Sequence, residues 1–198
     1  MTIDIILATV VAYLFGSLSS AIIVCRLMRL PDPRSEGSNN PGATNVLRIG
    51  GKLPAAITLL GDVLKGVIPV LAAKCYALPP SGLALVMFAA FIGHLFPIFF
   101  RFQGGKGVAT VIGCLLALSW PTALCWLATW LLVAGLFRYS SLAALTASLL
   151  APVYIWLFTN EWIYAITLIV IAAILFYRHR GNIRKLLNGT ESKIGAKR

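Results

Sequence analysis

Residues 82–101 read GLALVMFAAFIGHLFPIFFR. No Lys, Arg, Asp or Glu interrupts this run before Arg101. About 20 apolar residues suffice for a helix to cross the hydrocarbon core of a bilayer. Similar runs lie near 3–27, 53–76, 107–118, 121–137, 141–158 and 162–178. The expected fold is an all-α, polytopic membrane helix bundle of about seven spans, one domain covering residues 1–198. The run at 107–118 is short, and its separation from the next rests on Ser119-Trp120-Pro121.

Composition agrees with this reading. The chain of 198 residues is 59% hydrophobic and 12% charged, with a mean hydropathy of +0.88, whereas soluble domains are about a quarter charged. Little chain remains for a soluble catalytic domain, so any chemistry belongs in or on the bundle. The four cysteines, Cys25, Cys75, Cys114 and Cys125, lie in or near apolar runs without metal or disulfide spacing and read as small hydrophobes. No metal and no cofactor is expected. The first cation is Arg26, so the N-terminal run lacks the basic start of a cleavable signal and reads as a retained span.

The net charge of +11 does not point to nucleic acid, because the cations cluster at the ends of apolar runs. With seven spans, one face collects Arg26, Arg29, Arg34, Arg48, Lys52, Arg101, Lys106, Arg138, Arg178, Arg180, Arg184, Lys185, Lys193, Lys197 and Arg198, leaving only Lys65 and Lys74 of the 17 basic residues. The positive-inside rule places that face in the cytoplasm, with the N-terminus outside and the C-terminus cytoplasmic. Trp120, Trp162 and Tyr164 fall at the opposite ends, where an aromatic belt is expected.

Two polar stretches interrupt this pattern. Residues 37–48 read GSNNPGATNVLR and residues 104–110 read GGKGVAT. In the first, Gly37 and Gly42 permit positive φ or close backbone approach. Ser38, Asn39, Thr44 and Asn45 supply donors, and Arg48 supplies a bidentate fork. In the second, Gly104, Gly105 and Lys106 precede a helix start, where free N–H groups, the helix dipole and an ammonium favour an anion. Each has a plainer alternative: a polar turn, and a positively charged anchor. Together they suit a phosphorylated substrate handled on one face.

Further polar residues sit in or beside the spans. Asp62 and Lys65, spaced i and i+3, share a helical face at mid-span, where charges face an interior or a wet cavity. They form either a polar wall of the site or a structural ion pair. His94 ends the third span. His179 and Asn182 share a face if the last helix continues past Arg178, and His179 has a proton acceptor's chemistry. Ser17 and Ser20 suit helix packing. Ser140 and Ser141 are placed to cap the sixth span or to meet a phosphate.

At these residues the chain resembles the bacterial acyl-phosphate:glycerol-3-phosphate acyltransferases of the PlsY type. The resemblance rests on Gly-Ser-x-Asn-Pro-Gly-Ala-Thr-Asn at 37–45, Gly-Gly-Lys-Gly-Val-Ala-Thr at 104–110 and the His179 to Asn182 tail. Gly16-Ser17 with Ser20-Ala21, and Asp62 to Gly66, support it. It runs from about residue 12 to 187. Asn39 stands where the family pattern often has glycine. Asn tolerates left-handed backbone better than most residues, so a preserved loop is expected.

The resemblance implies a multi-pass enzyme of the bacterial inner membrane with its active site on the cytoplasmic face. It implies transfer of a fatty acyl group from acyl phosphate to the 1-hydroxyl of glycerol 3-phosphate, giving lysophosphatidic acid and phosphate. Ser38, Asn39, Gly42, Thr44, Asn45, Arg48, Gly104, Gly105, Lys106 and Ser140 are the expected phosphate contacts. His179, Asn182 and Ser141 are the expected catalytic residues, with Ser17, Ser20, Asp62, Lys65 and His94 in support. Expected partners are glycerol 3-phosphate, acyl phosphate, membrane lipid and the enzyme that forms acyl phosphate; no nucleic acid is expected. No His-x4-Asp pattern occurs, since Phe99 and Arg184 hold the matching places. Direct transfer is favoured over an acyl-enzyme, and the base is either His179 or a phosphate oxygen of the substrate. The rival reading is a transporter of a phosphorylated anion. It requires a polar path to the outer face, yet the turns at 77–81, 119–120 and 159–161 carry only Glu161.

Overall fold

The structure, a computed structural model, describes residues 2–195; Lys197 and Arg198 of the expected basic tail lie outside them. The helices are α1 Thr2–Gly16, α2 Ser20–Leu27, α3 Ala43–Gly50, α4 Lys52–Cys75, α5 Pro80–Leu95, α6 Val108–Leu118, α7 Trp120–Phe137, α8 Ser140–Thr159, α9 Trp162–Arg178 and α10 Arg180–Leu187, with a 3₁₀ turn at Ile98–Phe100. No strand occurs among the described residues. Thr2–Leu27, Lys52–Cys75, Pro80–Phe100, Trp120–Phe137 and Ser140–Thr159 are long and apolar enough to cross a membrane, so this is a multi-pass membrane protein. α9 has 17 residues. α6 has 11, about 16 Å of helix against a hydrocarbon core of about 30 Å.

The chain packs as two compact units, one ending at Leu118 and one beginning at Ser119. In the first, α1 lies on α5, α4 on α6, and α3 on α4. Glycine makes the crossings close. A Cβ at Gly16 would strike the carbonyl of Ala90, and one at Gly93 that of Tyr13; Gly66 meets Thr110 and Gly113 meets Val63 in the same way. In lipid, where helices gain nothing from merely hiding apolar surface, such backbone approach supplies the packing. In the second unit α8 lies against both α7 and α9, and α10 touches α8 and α9.

Three departures from the expected spans matter for function. The first span is broken: α1 stops at Gly16 and α2 resumes at Ser20. The turn at 28–52 contains α3, fixed to the bundle by Val46, which packs in a buried cluster with Ala21, Cys25 and Ala55. The last helix does not continue past Arg178; α10 leaves α9 at a bend of 62°.

Candidate active site

The 37–48 stretch is built around Asn45. Its side chain is buried. Oδ1 accepts the Ser38 N–H at 2.8 Å, and Nδ2 donates to the carbonyls of Pro33 and Glu36, both at 2.9 Å. Asn45 thus shapes the loop from within. Gly37 turns at φ +65° against the Asn45 amide, where a Cβ would collide. Asn39 adopts the left-handed backbone expected of it, at φ +55°. Gly42 is different: it is extended at φ −154° and caps α3. Ser38, Asn39, Thr44 and Arg48 are exposed. Arg34 folds back onto Asp32, Nη2 to Oδ2 at 2.6 Å, and the guanidinium holds that carboxyl below the usual range.

The second loop closes over the end of α5. Arg101 and Phe102 are both left-handed, at φ +56° and +58°, a strained pair of the kind found near functional sites. Gly105 donates its N–H to the His94 carbonyl at 3.2 Å. Gly104, Gly105 and Gly107 are buried, and Lys106 is half-buried between them. Gly107, at φ +89°, accepts the Val111 N–H and so caps α6. A Cβ on Gly105 would meet both the Pro41 carbonyl and the His94 ring. The two glycine-bearing loops, far apart in sequence, therefore touch backbone to backbone.

Beneath them lies a buried polar group. Asp62 Oδ1 is 2.9 Å from Lys65 Nζ and 3.7 Å from His94 Nδ1. His94 Nδ1 is 3.1 Å from Thr110 Oγ1. Lys65 donates at 2.9 Å to the carbonyl of Leu18, in the break between α1 and α2. Ser17 is buried, its hydroxyl donating to Tyr13 O. The Ser20 hydroxyl packs on Gly61.

The second unit carries a different constellation. Ser140 and Ser141 are the first residues of α8, whose N-cap is Tyr139 without a side-chain cap bond. Capping is therefore not what Ser141 does. Its hydroxyl donates to Glu191 Oε1 at 2.6 Å, and Asn182 Nδ2 donates to the same oxygen at 2.7 Å. Ser140 is half-buried. His179 is buried at the α9–α10 bend, and its Nδ1 lies 2.8 Å from Leu175 O. A carbonyl only accepts, so Nδ1 carries the proton and Nε2 is the basic nitrogen of the neutral ring. Asn182 stands in the first turn of α10, whose N-cap is His179. The tail after α10 is fastened as well: Ile194 N–H donates to Arg138 O at 2.6 Å, and Arg138 Nη2 returns a bond to Ile194 O at 3.0 Å.

Sequence reasoning missed Glu191. One signal was available: it is an acid in a basic tail, and the chain has only six acids. Among the described residues no three His, Cys, Asp or Glu side chains are grouped as metal ligands would be.

Residues 6–189 match a family described as glycerol-3-phosphate acyltransferase. A glycerol-3-phosphate acyltransferase of Methylococcus capsulatus is 57% identical over 187 residues, 94% of either chain. One from Vibrio vulnificus is 53% identical over 190 residues, 96% of this chain and 93% of the other. A crystal structure of PlsY, an integral membrane glycerol 3-phosphate acyltransferase, in its glycerol 3-phosphate form matches with a TM-score of 0.92 at 38% identity, covering 97% of this chain and 96% of that one. Its lysophosphatidic acid form matches at 0.89 and 37%, with the same coverage. Helices of membrane length carrying polar constellations at their ends, together with these relatives, define an integral-membrane acyltransferase and not a transporter. The chain belongs to the glycerol-3-phosphate acyltransferase family, of the PlsY type.

Proposed function

We propose that this chain acylates the 1-hydroxyl of glycerol 3-phosphate with acyl phosphate as donor, releasing lysophosphatidic acid and inorganic phosphate. The observation that supports it most is the contact of the two glycine-bearing loops at Pro41 and Gly105, which gathers backbone groups, small donors and Lys106 in one unit. Backbone N–H groups gathered beside a cation in this way suit a phosphate.

Acyl phosphate is a mixed anhydride. The glycerol hydroxyl oxygen forms a bond to the acyl carbon, a tetrahedral oxyanion develops, and the carbon–oxygen bond to phosphate breaks. The leaving group needs little acid assistance, so catalysis is chiefly alignment and electrostatics. In the first unit, Ser38, Asn39, Gly42, Thr44, Arg48, Gly104, Gly105 and Lys106 hold substrate phosphate, and Asn45 keeps the loop in shape for them. In the second, Ser140 adds a phosphate contact, and Ser141 and Asn182 orient the reacting groups. The hydroxyl proton passes to His179 Nε2 or to a phosphate oxygen of the substrate. No cofactor enters the scheme. Residues 1–198 act as one acyltransferase domain.

The same reading puts the protein in the bacterial inner membrane with seven spans, the N-terminus outside, and the C-terminus and active site on the cytoplasmic side. The partition of basic residues supports this. The short α6 completes its crossing with the buried glycine loop before it, since irregular backbone is tolerated at membrane depth where protein surrounds it. Besides its two substrates and membrane lipid, the enzyme that makes acyl phosphate is a suitable partner, because it would hand over a labile anhydride directly. Nucleic acid has no part in it.

The test is an assay of the purified protein with acyl phosphate and labelled glycerol 3-phosphate. Lysophosphatidic acid and phosphate in equal amounts are expected. Activity with another acyl donor but none with acyl phosphate would overturn the donor assignment.

A further inference from the structure

Asp62, Lys65, His94 and Thr110 are all buried, and no step of the proposed chemistry uses them. Their polarity needs a reason beyond stability. Burying a carboxylate and an ammonium carries a desolvation penalty of several kcal/mol per ion, and an apolar pair of similar volume often folds as well or better. The geometry supplies a reason. The group runs from the α1–α2 break, where Lys65 binds Leu18 O, to Asp62, whose Oδ1 faces His94 Nδ1 at 3.7 Å, and from His94 Nδ1 to Thr110 Oγ1 at 3.1 Å. At its far end stands the glycine loop. The His94 carbonyl receives the Gly105 N–H. Its ring lies so close to Gly105 that a Cβ there would strike Nε2 and Cε1.

We propose that His94 is a positioning residue for the phosphate loop, held in place by Thr110 and packed beside Asp62. Nδ1 is within hydrogen-bond reach of Thr110 Oγ1 at 3.1 Å and faces Asp62 Oδ1 at 3.7 Å. This fixes the ring's rotation. The ring, wedged under Gly105, then sets the direction of the peptides on either side of Lys106. Lys65, 2.9 Å from Asp62 Oδ1, ties that side chain to the carbonyl of Leu18 in the α1–α2 break. The column acts through the loop backbone and does not touch substrate. This rests on the reading of residues 104–107 as a phosphate site.

The discriminating measurement is steady-state kinetics of the full-length enzyme reconstituted in lipid, varying each substrate with the other saturating. Thr110→Val keeps the shape and removes the hydroxyl; Thr110→Ser keeps the hydroxyl. Thr110→Val is expected to raise KM for glycerol 3-phosphate by about two- to tenfold, the worth of one net hydrogen bond. The turnover number and KM for acyl phosphate should stay within about twofold, and Thr110→Ser should restore the wild-type KM. Asp62→Asn and His94→Asn should shift the same constant, and their double variant should shift it by less than the product of the two. Lys106→Ala serves as the separate control on the loop. If Lys106→Ala raises that KM while Thr110→Val and Asp62→Asn leave it unchanged, the loop binds phosphate and the positioning role of His94 is wrong. If Lys106→Ala leaves it unchanged, the phosphate reading falls and this inference with it. If Thr110→Val lowers the melting temperature and raises both KM values equally, the column is merely structural and the proposal is overturned. Should Asp62→Asn fail to fold, the Thr110 pair decides alone.

Discussion

Glu191 Oε1 receives the Ser141 hydroxyl at 2.6 Å, joining the tail beyond α10 to the first turn of α8. The same oxygen receives the Asn182 amide, so one carboxylate orients two of the expected catalytic side chains. Charge-assisted bonds of this kind are worth about 1.5–3 kcal/mol each. Glu191→Ala should lower the turnover number by at least about tenfold and speed amide exchange across 190–195. Glu191→Gln, which keeps an acceptor oxygen, should fall between that variant and wild type. Wild-type turnover and exchange in Glu191→Ala would count against the coupling.

Asn45 offers a second test. Asn45→Ala leaves the carbonyls of Pro33 and Glu36 and the N–H of Ser38 without this partner, at about 1–3 kcal/mol for the buried Pro33 carbonyl. The 33–45 loop should become open to protease, and KM for glycerol 3-phosphate should rise. Asn39→Gly should be tolerated, because φ is already +55°. Asn39→Val should mimic the Asn45 defect, since a β-branched residue resists that backbone. Equal protease resistance of Asn39→Val and wild type would show that the turn is not strained in the way described.

The apolar spans were legible because a run such as 82–101 leaves a helix few alternatives in a membrane. The break at Ser17–Ser19 was not. Its local sequence has no proline, and the break is stabilised by Gly16 against Ala90 and by Lys65 reaching Leu18 O, both long-range events. α3 escaped notice because eight residues are too few for a helical period to stand out from a polar turn until Val46 is seen in its cluster. In the site, residue types alone pointed to phosphate chemistry. They said nothing of Pro41 meeting Gly105, nor of Asn45 facing inward, because both depend on tertiary placement. Glu191 was missed for the same reason, its partner Ser141 lying 50 residues away.

Membrane sidedness can be read at Cys75. It is exposed and ends α4 opposite the Lys52 end. With the N-terminus outside, an impermeant maleimide should label Cys75 in intact cells. In a background where Cys75 is replaced, it should miss cysteines placed at 39, 103 and 188 until the cells are opened. Labelling of any of those three from outside would reverse the assigned topology.

Lys106→Ala and Arg48→Ala address the phosphate grip directly. Each removes a cation whose contact with phosphate is worth about 1.5–3 kcal/mol, so KM for glycerol 3-phosphate should rise about ten- to a hundredfold. Lys106→Arg should recover less than charge alone predicts, because a planar fork replaces a compact ammonium. If both alanine variants keep wild-type kinetics, the phosphate contacts lie elsewhere.

His179 decides the fate of the transferred proton. With Nδ1–H held by Leu175 O, Nε2 is the ring's basic atom. If Nε2 takes the proton from the glycerol hydroxyl, His179→Ala should reduce turnover by about 10²–10⁴-fold while KM for glycerol 3-phosphate changes little. The rate should also rise with pH as the base loses its proton, and this limb should be absent from the variant. If a substrate phosphate oxygen is the base, the limb belongs to the substrate and persists without the histidine. Wild type alone does not separate the two, since both limbs rise in the same direction. The decisive pairing is His179→Ala with an analogue of glycerol 3-phosphate whose phosphate ionises at lower pH. An active variant whose limb moves to lower pH with the analogue assigns the proton to the substrate and leaves His179 the task of holding the α9–α10 bend and, through it, Asn182. A variant with neither activity nor limb, still folded by its melting temperature, assigns the proton to Nε2.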